Sequence, residues 1–162
     1  MKDALAQLDA VARAAAATGQ PDTLFKALET ATAEAIGHKL FTILLFHPSN
    51  GESERRWTNQ PKAYPVGGRK PLNQTFWTQQ VLRELRPYIG RSYEDVKSVF
   101  FDHELIRSLG CESVLNLPVG YDGKPLGTIN LLHEANFYRE EHLPVGRVLA
   151  QLAAPVLMRL SE

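Results

Sequence analysis

The chain has 162 residues, room for one domain with a real core but not for two full ones. Hydrophobic residues make up 44%, and 18 Lys plus Arg balance 18 Asp plus Glu, so an ordinary globular composition carries a formal net charge of zero. That balance argues against a dedicated nucleic-acid surface, and the single cysteine, Cys111, excludes an internal disulfide and a multi-cysteine zinc site. Asp3, Asp9 and Arg13 interrupt the alanine-rich start, so no secretory leader is expected. No stretch approaches a membrane span, and the expectation is a soluble, cytoplasmic protein that engages neither membrane nor nucleic acid.

In chain order, residues 3–17 read as a helix with Leu5, Leu8, Ala12 and Ala15 on one face. Pro21 opens a second helix, with Leu24, Leu28, Ala31 and Ala35 on a stripe and Gly37 just past its end. KLFTILLFH, 39–47, is a buried strand stopped by Pro48 and a Ser-Asn-Gly turn, and ERRWTN, 54–59, is its hairpin partner. Residues 60–75 hold three prolines and two glycines and read as a long loop, a length that is often functional. Thr75 caps a helix to about Arg86; YIGRS, 88–92, is a short strand. Residues 94–109 are helical, with a break near Phe101-Asp102. A hairpin around Asp122-Gly123 follows, and a last helix starts near Arg139 and runs to the end, bent or broken by Pro155. The order predicts an α+β fold: a mainly antiparallel sheet of about five to six strands with helices packed on it. One domain over 1–162 is expected, with N-terminal helices (1–37), sheet and pocket (38–138) and a C-terminal helix (139–162).

In the strand runs of the hairpin NLPVGYDGKPLGTINLL, 116–132, nearly every side chain is apolar or small apart from Asn116 and Asn130. A strict two-residue turn pairs residues whose numbers sum to an odd value and puts the asparagines on opposite faces. A three-residue turn ending in left-handed Gly123 gives an even sum. The even register is preferred because it sorts the side chains cleanly. Leu115, Leu117, Val119, Ile129 and Leu131 share an apolar face. Val114, Asn116, Pro118, Leu126, Thr128, Asn130 and Leu132 share a mixed one. Buried amides must be satisfied, since an unpaired one costs about 1–3 kcal/mol. Two readings follow: the amides bond to each other and to their surroundings, or they line a cavity and orient a ligand.

The segment SLGCESVLNLPVGYDGKPLGTINLLHE, 108–134, followed by FYREEHL, resembles a GAF domain, and the element order extends the resemblance over nearly the whole chain. AYPVGGRKPL, 63–72, and FFDHELIRSLG, 100–110, are similar to a subgroup of small stand-alone bacterial GAF proteins. The resemblance implies a sheet between a layer of terminal helices, which often mediates dimers, and a pocket roofed by the middle helices and loops. It makes the mixed face the pocket face, and brings Trp57, Trp77 and the 93–103 segment to the pocket walls. Specialised members fit less well. Cyclic-nucleotide GAF domains carry Asn-Lys where His133-Glu134 stands, although Phe137 and Glu141 fit. Bilin-binding members use a Cys beside a His where Phe101 and Asp102 fall. Free-methionine sulfoxide reductases carry cysteines near the positions of Ile106, Arg107 and Ser108, and pocket acids where Val114, Asn130 and Leu132 stand.

Outside that resemblance, Cys111 reads as a small buried apolar residue. Asp102-His103-Glu104 is a poor metal cluster, because adjacent helical residues do not face one site. Arg69 and Lys70 after Gly67-Gly68 read either as a solvated turn or as an anion-gripping, pocket-closing loop. The expected pocket residues are Asn116 and Asn130 as orienting amides, with Thr128 on the same face. Trp77, Tyr93, Trp57, Tyr64 and Phe101 are the aromatic candidates, and Arg69 is the cation. The expected function is a small-molecule-binding sensor that signals through loop ordering or a dimer interface of the terminal helices. The alternatives are an interaction or dimerisation module with an empty pocket and a divergent sulfoxide reductase-like enzyme. No cofactor, metal or catalytic residue is implied, and the signal would pass to a protein partner or to the other subunit of a homodimer.

Overall fold

In the computed structural model, which describes residues 3–161, the first two helices are α1 (Leu5–Ala15) and α2 (Asp22–Ala35). The expected stripe of α2 packs inward, with Phe25 and Thr32 beside it. That of α1 is rotated: Ala4, Leu8, Val11 and Ala15 meet the core while Leu5 is 67% exposed. Both stripes satisfy helical spacing, and the one that buries the bulkier Val11 in place of Ala12 removes more apolar surface from water.

Six strands follow: β1 (Leu40–His47), β2 (Glu52–Thr58), β3 (Arg69–Pro71), β4 (Tyr88–Gly90), β5 (Ser113–Tyr121) and β6 (Lys124–His133). They form one sheet in the order β3-β2-β1-β6-β5-β4, every neighbouring pair antiparallel. β3 lies inside the segment expected to be loop; its three residues pair with the edge of β2. Between β3 and β4 a π-helical turn covers Thr78–Arg83, in which the Glu84 N–H reaches the Gln79 carbonyl five residues back. An α-helix was expected there. The wider turn lets Trp77, Val81 and Leu82 bury together against the sheet. Helices α3 (Tyr93–Val99) and α4 (His103–Ser108) are separated at Phe100–Asp102, as the expected break requires. The last helix is likewise divided, into α5 (Leu143–Gln151) and α6 (Ala154–Ser161), bent by 49°. Pro155 falls in the first turn of α6, where its missing N–H costs little. The expected run of that helix to Glu162, and the first two residues of the 1–37 region, lie outside the described residues.

The layers follow from the strand alternation. Phe41, Ile43, Leu115, Leu117, Ile129 and Leu131 face α1, α2, α5 and α6 and form the main core. The other face carries Leu40, Val114 and Leu132, packed under Val96, Ile106 and Tyr64. No single helix among the described residues is long and apolar enough to cross a membrane; the apolar α5–α6 pair buries Leu149, Ala150 and Leu157 in the main core.

The hairpin register is the even one, with Asn116 opposite Asn130, but it arises differently from the expectation. Asp122 and Gly123 both have positive φ, 53° and 75°, forming a two-residue turn of the mirror-image kind. Tyr121 therefore pairs with Lys124 and Gly120 with Pro125. Leu126 is then the extra residue of a bulge, and Val119 pairs with Gly127. The bulge changes the parity, so Asn116 and Asn130 meet, and Leu126 packs with the helix-side core instead of the mixed face. Gln151 of α5 satisfies the opened backbone: it accepts from the Gly120 N–H at 3.2 Å and donates to the Gly120 carbonyl at 2.5 Å.

Just beyond the bulge, β6 passes so close to β1 that a Cβ on Gly127 would sit 2.1 Å from the Leu44 carbonyl oxygen. Gly127→Ala is expected to destabilise the domain by about 2–4 kcal/mol, because both colliding groups are fixed in the ladder. Urea unfolding followed by circular dichroism checks this; an unchanged midpoint would mean that the two strands can part at no cost.

Candidate functional site

The mixed sheet face forms the floor of a cavity of about 250 Å3. Thr42 and Leu44 of β1, Ser53 and Arg55 of β2, and Asn130 and Leu132 of β6 supply the floor. The roof comes from the 64–78 segment and from Val99 to Ile106.

Two asparagines in an apolar hairpin are accounted for by one hydrogen-bonded chain. The Trp77 indole Nε1–H donates to Asn116 Oδ1 at 2.9 Å, Asn116 Nδ2 donates to Asn130 Oδ1 at 2.6 Å, and Asn130 Nδ2 donates to Thr42 Oγ1 at 3.2 Å. The direction is forced from one end. An indole nitrogen can only donate, so Asn116 must offer its oxygen there and its amide nitrogen onward, and Asn130 repeats the choice. Asn116 is engaged on both sides and lies beneath the cavity; Asn130 and Thr42 reach its surface.

A second cluster lies at the β2–β3 edge. β2 carries a bulge at Arg56: Trp57 pairs with Ile43, but Arg55 pairs with Leu44. Without it, Arg55 and Trp57 would share a face. With it, Trp57 turns to the helices, meeting Phe25 edge-on and donating to Glu29 Oε1 at 3.0 Å, and Arg55 enters the cavity wall. The Arg55 guanidinium lies 4.5 Å from the centre of the Tyr64 ring and donates from Nη1 to the Pro65 carbonyl, while its Nε is buried without a partner. Desolvation lowers the Arg55 pKa. Tyr64 donates to Asp102 Oδ2, and burial, then this bond, raises its pKa far above the ordinary phenol value. Lys70 pairs with the same Asp102 oxygen at 3.4 Å, and its ammonium sits 4.2 Å from the centre of the Phe101 ring.

Of the residues expected at a pocket, Asn130, Trp77, Tyr64 and Phe101 line this cavity, and Asn116 supports it from below. Trp57 lies on the opposite face because of the bulge. Tyr93, the first residue of α3, turns toward α4, where its hydroxyl meets His103 Nδ1 at 2.7 Å and Arg107 covers its ring. Arg69 is displaced by strand alternation in β3: it pairs with Glu54 at 3.3 Å, and its neighbour Lys70 enters the cavity instead. Thr128 lines a separate void of about 20 Å3, its buried Oγ1 without a partner. Arg55, Asp102 and Thr42 were not among the expected residues. Thr42 had a signal, as the lone hydroxyl inside KLFTILLFH. Arg55 had none, because ERRWTN does not disclose its bulge. Among the described residues no group of three or more His, Cys, Asp or Glu side chains is placed to hold a metal ion. Cys111 is fully buried, and burial pushes its thiol up to about 11.

A six-stranded antiparallel sheet, helices on one face and a roofed cavity on the other, defines an α+β sheet domain with an internal pocket. The family model described as GAF domain matches residues 17–158, and the chain belongs to that family. No curated protein matches the chain. Among solved structures, the chain is similar to the GAF domain of a phosphoenolpyruvate-protein phosphotransferase from Acinetobacter (18% identity, TM-score 0.72, covering 98% of this chain and 96% of that one). It is similar also to the GAF domain of a two-component sensor histidine kinase from Bacillus halodurans (16%, 0.70, 87% and 95%). A third is the chromophore-binding domain of an unusual bacteriophytochrome from R. palustris (11%, 0.69), where the match covers 97% of this chain and 62% of that one. At these identities the likeness is one of fold.

Asn116→Leu leaves the Trp77 N–H and the Asn130 carbonyl unpaired and is expected to cost about 1–3 kcal/mol. Adding Trp77→Phe removes one of the orphaned groups, so the double variant should lose less than the sum of the two single losses, by about 1 kcal/mol in a denaturation cycle. Strict additivity would show that the indole bond does not hold the roof. With its thiol at about 11, Cys111 should react with an aromatic disulfide reagent at pH 8 at least about 100-fold more slowly in the folded protein than in urea. Comparable rates would contradict its burial.

Proposed function

We propose that this domain is a cytoplasmic sensory or regulatory domain that holds a small molecule in the cavity above the Asn130–Thr42 floor. The observation that carries the reading is the cavity itself. Its walls are mostly apolar, with a few converging polar groups, the usual chemistry of a small-molecule site. Its volume lies just below the common range of about 300–1,000 Å3, which favours a small ligand. The similarity in fold to domains of a sensor histidine kinase and of a bacteriophytochrome supports a sensing role. Binding orders the roof segments 64–78 and 99–106, and this order is the output, read by a protein partner or by a second copy of the chain. A second copy would dock through the helical layer of α1, α5 and α6.

The test is native mass spectrometry of protein purified gently from its host, against the denatured mass. An added mass that disappears on denaturation is the expected result, and Asn130→Leu should lose it while keeping a folded circular-dichroism spectrum. An unaltered mass together with no thermal shift across a metabolite panel would overturn the ligand reading and leave the helical-layer dimer as the function.

A further inference from the structure

We propose that the molecule held in the cavity is a small monocarboxylate with an apolar body, its carboxylate between Arg55 and Lys70. This deepens the ligand reading above and rests on it. Three independent features of the cavity point to the same chemistry.

The first is charge. The cavity lining holds two cations, Arg55 and Lys70, and one carboxylate, Asp102. Lys70 is paired with Asp102. Arg55 takes part in none of the ion pairs among the described residues, although the Asp102 field reaches it. One positive charge is left over on a half-buried guanidinium in a mostly apolar wall, a place that an anion would favour. A single surplus charge matches a monoanion; a dianionic phosphate ester would leave one negative charge uncompensated.

The second is donor geometry. Arg55 commits Nη1 to the Pro65 carbonyl and is held over the Tyr64 ring, which fixes the plane of the guanidinium. Its buried Nε has no partner. A planar carboxylate takes two parallel N–H bonds from a guanidinium of this kind, and the plane is set before the ligand enters.

The third is the polarity of the floor. Because the Trp77 indole only donates, every amide in the chain donates toward the cavity, and Thr42 Oγ1 receives the last bond. Thr42 keeps its own hydroxyl proton to give. The floor therefore offers the ligand a donor. The remaining lining is mostly apolar, Leu40, Leu44, Trp77, Phe100 and Leu132 among it, with Ser53, Asn73, Thr75 and Thr78 adding hydroxyls and one amide, and it suits an apolar ring or a branched chain.

The test compares benzoate, its neutral isostere benzamide and phenyl phosphate by calorimetric titration of the intact chain, with the Trp77 indole resonance as a site reporter. Benzoate should bind about tenfold or more tightly than benzamide, the gain expected of a charge-assisted pair over a neutral one. Arg55→Met keeps the unbranched stem; it should bring benzoate down to the level of benzamide and leave benzamide unchanged. Lys70→Met should weaken benzoate in the same direction, and it decides the matter if Arg55→Met fails to fold. Equal affinity for benzoate and benzamide overturns the carboxylate inference while the cavity reading stands. Tighter binding of phenyl phosphate than of benzoate overturns the monoanion. Binding of neither benzoate nor benzamide overturns the inference, and the native mass of the host-purified protein then decides the cavity reading separately.

Discussion

Strand parity is the constraint on which the site depends. A strand shows alternate side chains to opposite faces, so one inserted residue exchanges the two sets from that point onward. The sheet contains two such insertions, at Arg56 in β2 and at Leu126 in β6. The first sends Trp57 to the helices and Arg55 to the cavity. The second brings Asn116 opposite Asn130 despite a two-residue turn that would have separated them. Remove either bulge and the cavity loses its unpaired cation or its polar chain. The protein meets the cost of the second bulge locally, with the Gln151 side chain bonding both backbone groups of Gly120.

The polar chain does a different task from the one that first draws attention to the asparagines. Asn116 is not at the cavity surface. It is the joint between the roof, through Trp77, and the floor, through Asn130. Each bond contributes about 1 kcal/mol net, while an orphaned member costs more, so the chain resists partial disruption. It also gives the floor a direction. A donor-only indole at one end fixes the orientation of two amides that would otherwise be free to flip, and delivers a hydroxyl with a proton to give at the other end. The chain thus satisfies both amides internally and carries a fixed direction out to Asn130 and Thr42 at the cavity surface.

What was legible in the sequence follows the same line. Element order, the antiparallel sheet, the break at Phe101-Asp102 and the disruption at Pro155 were readable because each rests on local chemistry: periodicity, glycine, proline. The pairing of the two asparagines was readable because two faces had to sort at once, and only one register sorted both. The turn that produces it was not, since a three-residue turn and a two-residue turn with a bulge give the same parity beyond the bulge. Trp57 and Arg69 were misplaced for one reason. ERRWTN and GGRKP contain no feature that says which residue of a neighbouring pair faces inward; that is settled by the partner strand, and β3 was not visible as a strand at all. Tyr93 was misplaced because a helix N-terminus can send its first side chain either way along the surface, and His103 on α4 offered it a partner.

The cations illustrate the consequence. Arg69 and Lys70 are adjacent in sequence, and Arg is the better bidentate donor, so sequence alone favours Arg69 as the anion-binding residue. Alternation in β3 reverses the choice: Arg69 is spent on Glu52 and Glu54 at the sheet edge, and Lys70 enters the cavity, where Asp102 already neutralises it. The guanidinium that lines the cavity comes instead from Arg55, one strand away, through a bulge. There it is half-buried, stacked on Tyr64 and without a carboxylate partner. Of the charged residues that line the cavity, Lys70 and Asp102 pair with each other and Arg55 alone has no ion-pair partner among the described residues. Strand alternation that removes Arg69 from the cavity and a bulge that admits Arg55 together leave one guanidinium without a carboxylate in its wall, the feature that the proposed anion would complete.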